Sequence, residues 1–194
     1  MSEKALELKY LSHEAHEDAA VASILRLSNS VFNPESESDR TSLEEWKRRL
    51  SDPASSIIYL VPQPDQSRLA SSGDDQPQLE VHPPPVAFIF AYTRSHPEPL
   101  KNGSFQSLHI WLAGVLEEYR GMGCLDTMVN ALIDLEKRRR GSESSPMPTF
   151  TICTHPSRFP LMWAWLRART RWVFEKEFDE GKVMFSLTGQ YSVQ

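Results

Sequence analysis

The stretch from Leu108 to Arg140, LHIWLAGVLEEYRGMGCLDTMVNALIDLEKRRR, decides the fold. Its first part is apolar and aromatic, with the residue types that favour strands. After Arg120-Gly121-Met122-Gly123, apolar residues recur at Leu125, Met128, Val129, Leu132 and Leu135, the spacing of one buried helix face. The stretch reads as strand, tight glycine turn, helix.

Such a turn has a physical use, because the first amides of a helix lack partners within it and carry the positive end of its dipole. Gly121 and Gly123 remove the side chains that would keep an anion from those amides. The natural guest is a phosphate or pyrophosphate. No G-x-G-x-x-G and no G-K-[ST] occurs here, so dinucleotide-fold and P-loop readings fail.

Ala113-Gly114-Val115, followed by Glu118-Tyr119-Arg120-Gly121-Met122-Gly123, resembles the acetyl-CoA motif of the GNAT superfamily of N-acetyltransferases. Two positions depart from that pattern: Glu117 stands where proline is common, and Leu125 where a small residue is usual. The resemblance implies an α/β (α+β) fold with a mixed, mostly antiparallel sheet of six to seven strands. About four helices flank it, and its central strands splay apart. It also implies acetyl-CoA as cosubstrate, with the backbone of Ala113, Gly114 and Val115 along the pantetheine arm. The amides of Arg120, Gly121, Met122, Gly123, Cys124 and Leu125 would hold the pyrophosphate, and His155 would lie near pantetheine.

A chain of 194 residues suffices for one domain with a full core, and 40% hydrophobic with 24% charged residues is ordinary for a globular protein. The net charge of -5 argues against a nucleic-acid-binding role and mildly favours a cationic acceptor. Lys137-Arg138-Arg139-Arg140 is the one dense basic run, read as a helix end whose cations complement the dipole, with the 3'-phosphate of CoA or an acidic partner as the alternative contact. Two cysteines, Cys124 and Cys153, make no disulfide framework. With no cleavable apolar leader and no run of about 20 apolar residues, a cytoplasmic protein is expected, the nucleus remaining open.

Taken in order, a strand is expected over Ala5–Leu11, and a helix from Ser12 to near Phe32. Thr41 and Glu44 form the capping box of a second helix ending at Leu50, and a strand covers Ser56–Val61. The stretch 62–85, rich in Pro, Ser, Asp and Gln, is expected to be a mobile insertion in a single domain spanning 1–194. Strands follow at Val86–Tyr92, from Phe105, and at Thr149–Thr154; then come a helix over Phe159–Arg169 and a hairpin of Trp172–Phe178 with Lys182–Leu187 about Asp179-Glu180-Gly181. His13, His16 and Glu17 share early turns, but with no third ligand in view no metal site is assigned.

The expected activity is transfer of an acetyl group from acetyl-CoA to a primary amine, on a small molecule or a protein, by direct attack in a ternary complex. Such chemistry needs positioning, a route for the ammonium proton and a donor to the oxyanion, but no side-chain nucleophile. His109 is the first candidate base, four residues before Ala113, at a position similar to that of the glutamate base in histone-acetylating members of the superfamily. Glu118 comes second, with Glu117 beside it, although carboxylates there also suit the helix dipole. Cys124, at a helix N-terminus, is expected to have a lowered pKa. Family members often place a tyrosine on the late helix as general acid, and this chain has none between Tyr119 and Tyr191. That absence motivates the alternative, a GNAT-shaped module that holds CoA or acyl-CoA without turnover. Trp111, Trp163 and Trp165 are read as core, or as the lining of an apolar acceptor pocket. Neither the acceptor nor the oligomeric state is legible.

Overall fold

Ile, Val, Phe and Tyr crowd the segments around residues 58 and 89, and both form central strands whose side chains are buried on the two sheet faces. The computed structural model describes residues 5–14, 16–32, 41–63, 83–141 and 146–187. In chain order its elements are β1 (Leu6–Ser12), α1 (Asp18–Phe32), α2 (Leu43–Leu50), β2 (Ser56–Pro62), β3 (Ala87–Ser95), β4 (Gln106–Val115), α3 (Cys124–Arg140), β5 (Phe150–Thr154), α4 (Pro160–Arg167), β6 (Trp172–Glu177) and β7 (Val183–Leu187). Short 3-10 turns cover Glu117–Tyr119 and Asp179–Gly181. The order matches the expected one.

The strands form one seven-stranded sheet in the order β1-β2-β3-β4-β5-β7-β6. Every neighbouring pair is antiparallel except β4 and β5. Helix α3 covers one face through Met128, Val129, Leu132 and Ile133, packed with Ile58, Ile89, Leu108, Ile110 and Phe150. Helices α1 and α2 cover the other through Val21, Ile24, Trp46 and Leu50, packed with Ile57, Phe88 and Phe90. Side chains on β4 therefore alternate between two separate cores.

Local chemistry moves several expected boundaries, and β3 runs on to Ser95, past its expected end at Tyr92. Ser12 closes β1 opposite Ser56, so the first helix starts later, at Asp18. The cap of α2 is Ser42, whose hydroxyl accepts from the Glu45 amide at 3.1 Å, while Thr41 Oγ1 accepts from Trp46 Nε1 at 2.9 Å. The late helix begins at Pro160, a residue suited to a first helical position. Of the expected insertion, Pro62 ends β2 and residues 83–85 lead into β3, whereas 64–82 lie outside the described residues.

The basic run at the end of α3 works partly as a clasp. Arg139 Nη1 pairs with Glu136 at 2.8 Å and donates to the Ala54 carbonyl at 3.3 Å, while Arg140 Nη1 donates to the Pro146 carbonyl at 2.6 Å. The helix ends on Gly141 in the left-handed region, at φ 60°.

Candidate active site

The glycine turn folds as the spacing predicts. Gly121 (φ 78°) and Gly123 (φ 75°) both lie in the left-handed region, and Gly123 is the residue before the first turn of α3. Among the described residues, no amide from Gly121 to Leu125 donates to another part of the chain, and Thr127 N to Gly123 O, at 3.0 Å, is the first bond of the helix. A Cβ built on either glycine meets nothing within 4 Å, so the loop is open to a guest. Arg120 Nε donates to the Val115 carbonyl at 3.4 Å, tying the loop to the end of β4. This set fits the diphosphate of a nucleotide-like cosubstrate: unpaired donors, the positive end of a helix, and no side chain in front.

Beside the loop the sheet opens. Strand β4 pairs with β5 only at Leu108–Phe150, His109–Thr151 and Ile110–Ile152. From Trp111 to Val115 it has β3 on one side and no paired strand on the other among the described residues, so about half its backbone groups face a gap. The register with β3 shifts where Ala91 faces Ile110 and Phe90 faces Leu112, leaving Trp111 as the extra residue of a bulge. Bulges bend a strand and raise its twist, which accounts for the divergence starting there. Ala113, Gly114 and Val115 all lie along the gap, as the motif implies.

On the α2 face of this sheet a chain of polar side chains runs beneath the paired segment of β4 and β5, next to the gap. His96 Nε2 meets Ser107 Oγ at 2.8 Å, Ser107 Oγ meets Thr151 Oγ1 at 2.7 Å, and Thr151 Oγ1 meets His109 Nδ1 at 2.9 Å. Arg94 Nη1 then lies 3.4 Å from His109 Nε2 and donates to Cys153 Sγ at 3.9 Å. His109 is only 3% exposed, and burial followed by the positive charge of Arg94 pulls its pKa down to about 3. It is therefore neutral at pH 7, with both ring nitrogens engaged. Burial and Arg94 also push His96 down.

This gives a pH prediction with a definite sign. The unfolded chain takes up a proton on His109 near pH 6.5, and the fold refuses it until about pH 3, so its contribution to stability is whole above 6.5 and is lost as pH falls toward 3. Calorimetry should show the wild-type Tm dropping between pH 7 and 5 more steeply than that of His109→Gln. Parallel curves would remove His109 from the acid response.

The other expected residues fall in three places. Glu118 is exposed in the turn before the loop, and no side-chain bond holds it among the described residues. His155 is half-buried where β5 ends, its carbonyl accepting from Arg158 N at 3.1 Å and Phe159 N at 2.8 Å. The Cys124 thiol is buried, sits 3.5 Å from the Tyr119 carbonyl, and has its pKa raised by burial. The expectation of a lowered value is corrected here, because desolvation outweighs the helix dipole. Trp111 belongs to the α2 face, in edge-on or tilted contact with Trp46, Phe90 and Tyr92. Trp163 and Trp165 pack elsewhere, against Phe185 and Trp172 beside the α3 core.

Two arrangements escaped the sequence reading. Asp126, in the first turn of α3, accepts from Arg169 Nε at 2.7 Å, from Arg169 Nη2, and from Trp165 Nε1 at 3.3 Å, a fork that joins the loop to the segment after α4. Burial raises that carboxyl, but the bonds from Arg169 and Trp165 outweigh it and leave the pKa lowered. Its countercharge keeps the carboxylate from opposing an anion at the helix start. The second is Arg49, whose guanidinium lies 4.1 Å from the Trp111 ring and 4.9 Å from the Tyr92 ring while pairing with Glu45 at 2.7 Å. Sequence separations of 43 and 62 residues, from Asp126 to Arg169 and from Arg49 to Trp111, leave no local signal of either.

No helix among the described residues is long and apolar enough to cross a membrane. No group of three His, Cys, Asp or Glu residues among them is placed to hold a metal. His16 Nδ1 instead contacts the Ser12 carbonyl at 3.0 Å.

No protein-family model and no curated protein sequence matches the chain. Solved structures do match. An acetyltransferase of the GNAT family from Staphylococcus aureus Mu50 aligns with TM-score 0.58 at 11% identity, over 94% of this chain and 99% of that one. An aminoglycoside acetyltransferase, meta-AAC0020, from an uncultured soil metagenomic sample and in complex with sisomicin, aligns with TM-score 0.54 at 12% identity, over 85% and 87%. A chain of the NatC complex bound to Gag peptide and CoA aligns with TM-score 0.51 at 18% identity, over 94% and 96%. With the glycine turn, the bulged β4 and the gap beside it, these alignments establish that the chain has the GNAT acetyltransferase fold.

Proposed function

We propose that this protein is an N-acetyltransferase that moves an acetyl group from acetyl-CoA to a primary amine by direct attack in a ternary complex. The observation that supports this most is the row of unpaired amides from Gly121 to Leu125 at the start of α3, next to an unpaired edge of β4. The loop would hold the diphosphate, and Ala113–Val115 would lie along the pantetheine arm. Residues 1–194 act as one domain in this reading, with 62–85 as an insertion.

In the reaction the amine nitrogen attacks the thioester carbonyl carbon, a C–N bond forms, and the C–S bond breaks as the negative charge on oxygen collapses. Backbone N–H groups of β4 that face the gap supply the oxyanion donors. Buried, doubly engaged and titrating near 3, His109 suits a positioning role better than the base role expected for it. The ammonium proton then leaves through water at the open gap, and the departing thiolate takes its proton from water as well. Glu118, exposed in the turn before the loop, remains the second candidate base.

Two observations favour the second reading, a CoA-binding module without turnover: α4 carries no tyrosine, and the Cys124 thiol is buried. A stopped assay separates the two. Free thiol released from acetyl-CoA with any amine of a broad panel supports the transferase, and CoA binding with no release across the panel supports the module. Absence of CoA binding at millimolar ligand overturns both.

A further inference from the structure

The overall charge of -5 and the charge of the acceptor face have opposite signs. On that face, β3 presents Tyr92, Arg94 and His96 at alternate positions, with His109 opposite Tyr92 and Ser107 opposite Arg94. Beyond β4, Thr151 pairs with His109, Thr151 and Cys153 lie on β5 opposite Ser186 and Met184 of β7, and Lys182 continues that row. Both Arg94 and Lys182 are half-buried, and both act on His109 electrostatically.

Other ionisable groups nearby already have polar partners, although Glu175 pairs with no cation among the described residues. Arg49 pairs with Glu45, and Lys176 with Glu98 at 3.2 Å. Glu175 accepts from the Ser186 hydroxyl and, at 2.9 Å, from the Lys101 amide. Among the described residues no carboxylate pairs with Arg94 or Lys182. Among the described residues, Arg94 hydrogen-bonds only His109 and Cys153, a neutral imidazole and a thiol, so its planar fork retains donors for an anion.

We propose that the acceptor is an amine that also carries a carboxylate, held by Arg94 with Lys182 beside the β4 bulge. This rests on the transferase reading above and supplies its acceptor class. The same cations disfavour a dicationic acceptor, since a second ammonium would meet like charge. They also ease the chemistry, because an amine near a positive field loses its proton more readily and attacks as the free base. That offsets the lack of an imidazole base. The bond balance is unchanged: C–N forms, C–S breaks, one proton passes from nitrogen to water and one from water to sulfur.

The test uses the full chain with acetyl-CoA and matched acceptors: glycine, β-alanine and 4-aminobutyrate, the amide of each, and 1,4-diaminobutane. Asp-Ala-amide against Asn-Ala-amide distinguishes a peptide side chain from a free amino acid as the carboxylate source. For at least one spacing, kcat/KM for the acid should exceed that for its amide by about tenfold or more, the scale of a charge-assisted pair. Arg94→Gln should collapse that ratio to about twofold through KM, and Arg94→Lys, which keeps the charge but loses the planar fork, should retain only part of it. Equal use of acids and amides, preference for the diamine, or an Arg94→Gln loss that falls equally on both acceptors overturns the proposal. If no amine is turned over, the transferase reading fails. The carboxylate site is then read by calorimetry with N-acetyl acids and N-acetyl amides in the presence of CoA: an acid preference erased by Arg94→Gln supports it, and no preference overturns it.

Discussion

Gly123→Val is expected to weaken CoA binding by about 100-fold or more. Gly123 holds φ 75°, where a β-branched residue is a genuine outlier, and relaxing that strain rotates the amides that begin α3. A charge-assisted hydrogen bond contributes about 1.5–3 kcal/mol and each 1.4 kcal/mol is a factor of ten, so losing one bond with added strain reaches that size. The control is Gly141→Val at the other end of the same helix. Gly141 has φ 60° and open space around its Cβ, so it imposes similar strain far from the loop. Both variants should lower Tm comparably in differential scanning calorimetry. Only Gly123→Val should lose CoA affinity by calorimetric titration, and equal losses would show that global strain, rather than the loop, governs binding.

Gly114→Ala should cost stability for a different reason. A Cβ at that position falls 2.6 Å from Phe88 Cε1 and 3.3 Å from Val31 Cγ1. Phe88 is fully buried, with its ring centroid 5.8 Å from that of Trp46, so it has little room to yield. Overpacking of this kind costs about 1–3 kcal/mol. For a chain of this size each kcal/mol shifts Tm by about 2–4 °C, so a fall of roughly 3–10 °C is expected. Adding Phe88→Leu should recover part of it, and an unchanged Tm in Gly114→Ala would mean that the contact between β4 and Phe88 of β3 is looser than it stands here.

These two glycines show what was legible in sequence. Gly121 and Gly123 sit between an apolar strand and a periodic helix, so local pattern alone placed the turn, and the resemblance then supplied element order and sheet. Gly114 carried no such mark, since its reason is a ring 26 residues away. The base was read from residue type and strand position, and neither reports burial: His109 lies under the sheet face with Thr151 and Arg94, partners 42 and 15 residues distant. The Cys124 expectation failed similarly, because a helix N-terminus predicts the sign of the dipole term but says nothing of desolvation. The row Tyr92, Arg94, His96 was not read from sequence, because the expected strand ended at Tyr92 whereas β3 runs on to Ser95. Nor could sequence show that Lys182 and Cys153 would stand beyond β4 from it.

The claim on which the rest depends is that the amides from Gly121 to Leu125 bind the diphosphate of the cosubstrate. The most direct measurement is a ¹⁵N–¹H correlation spectrum of the full chain titrated in parallel with CoA and with pantetheine, which lacks the diphosphate. The amide signals of Gly121, Gly123, Cys124 and Leu125 should move with CoA and stay in place with pantetheine, while those of Ala113–Val115 respond to both. Loop signals that remain still at saturating CoA would contradict the account.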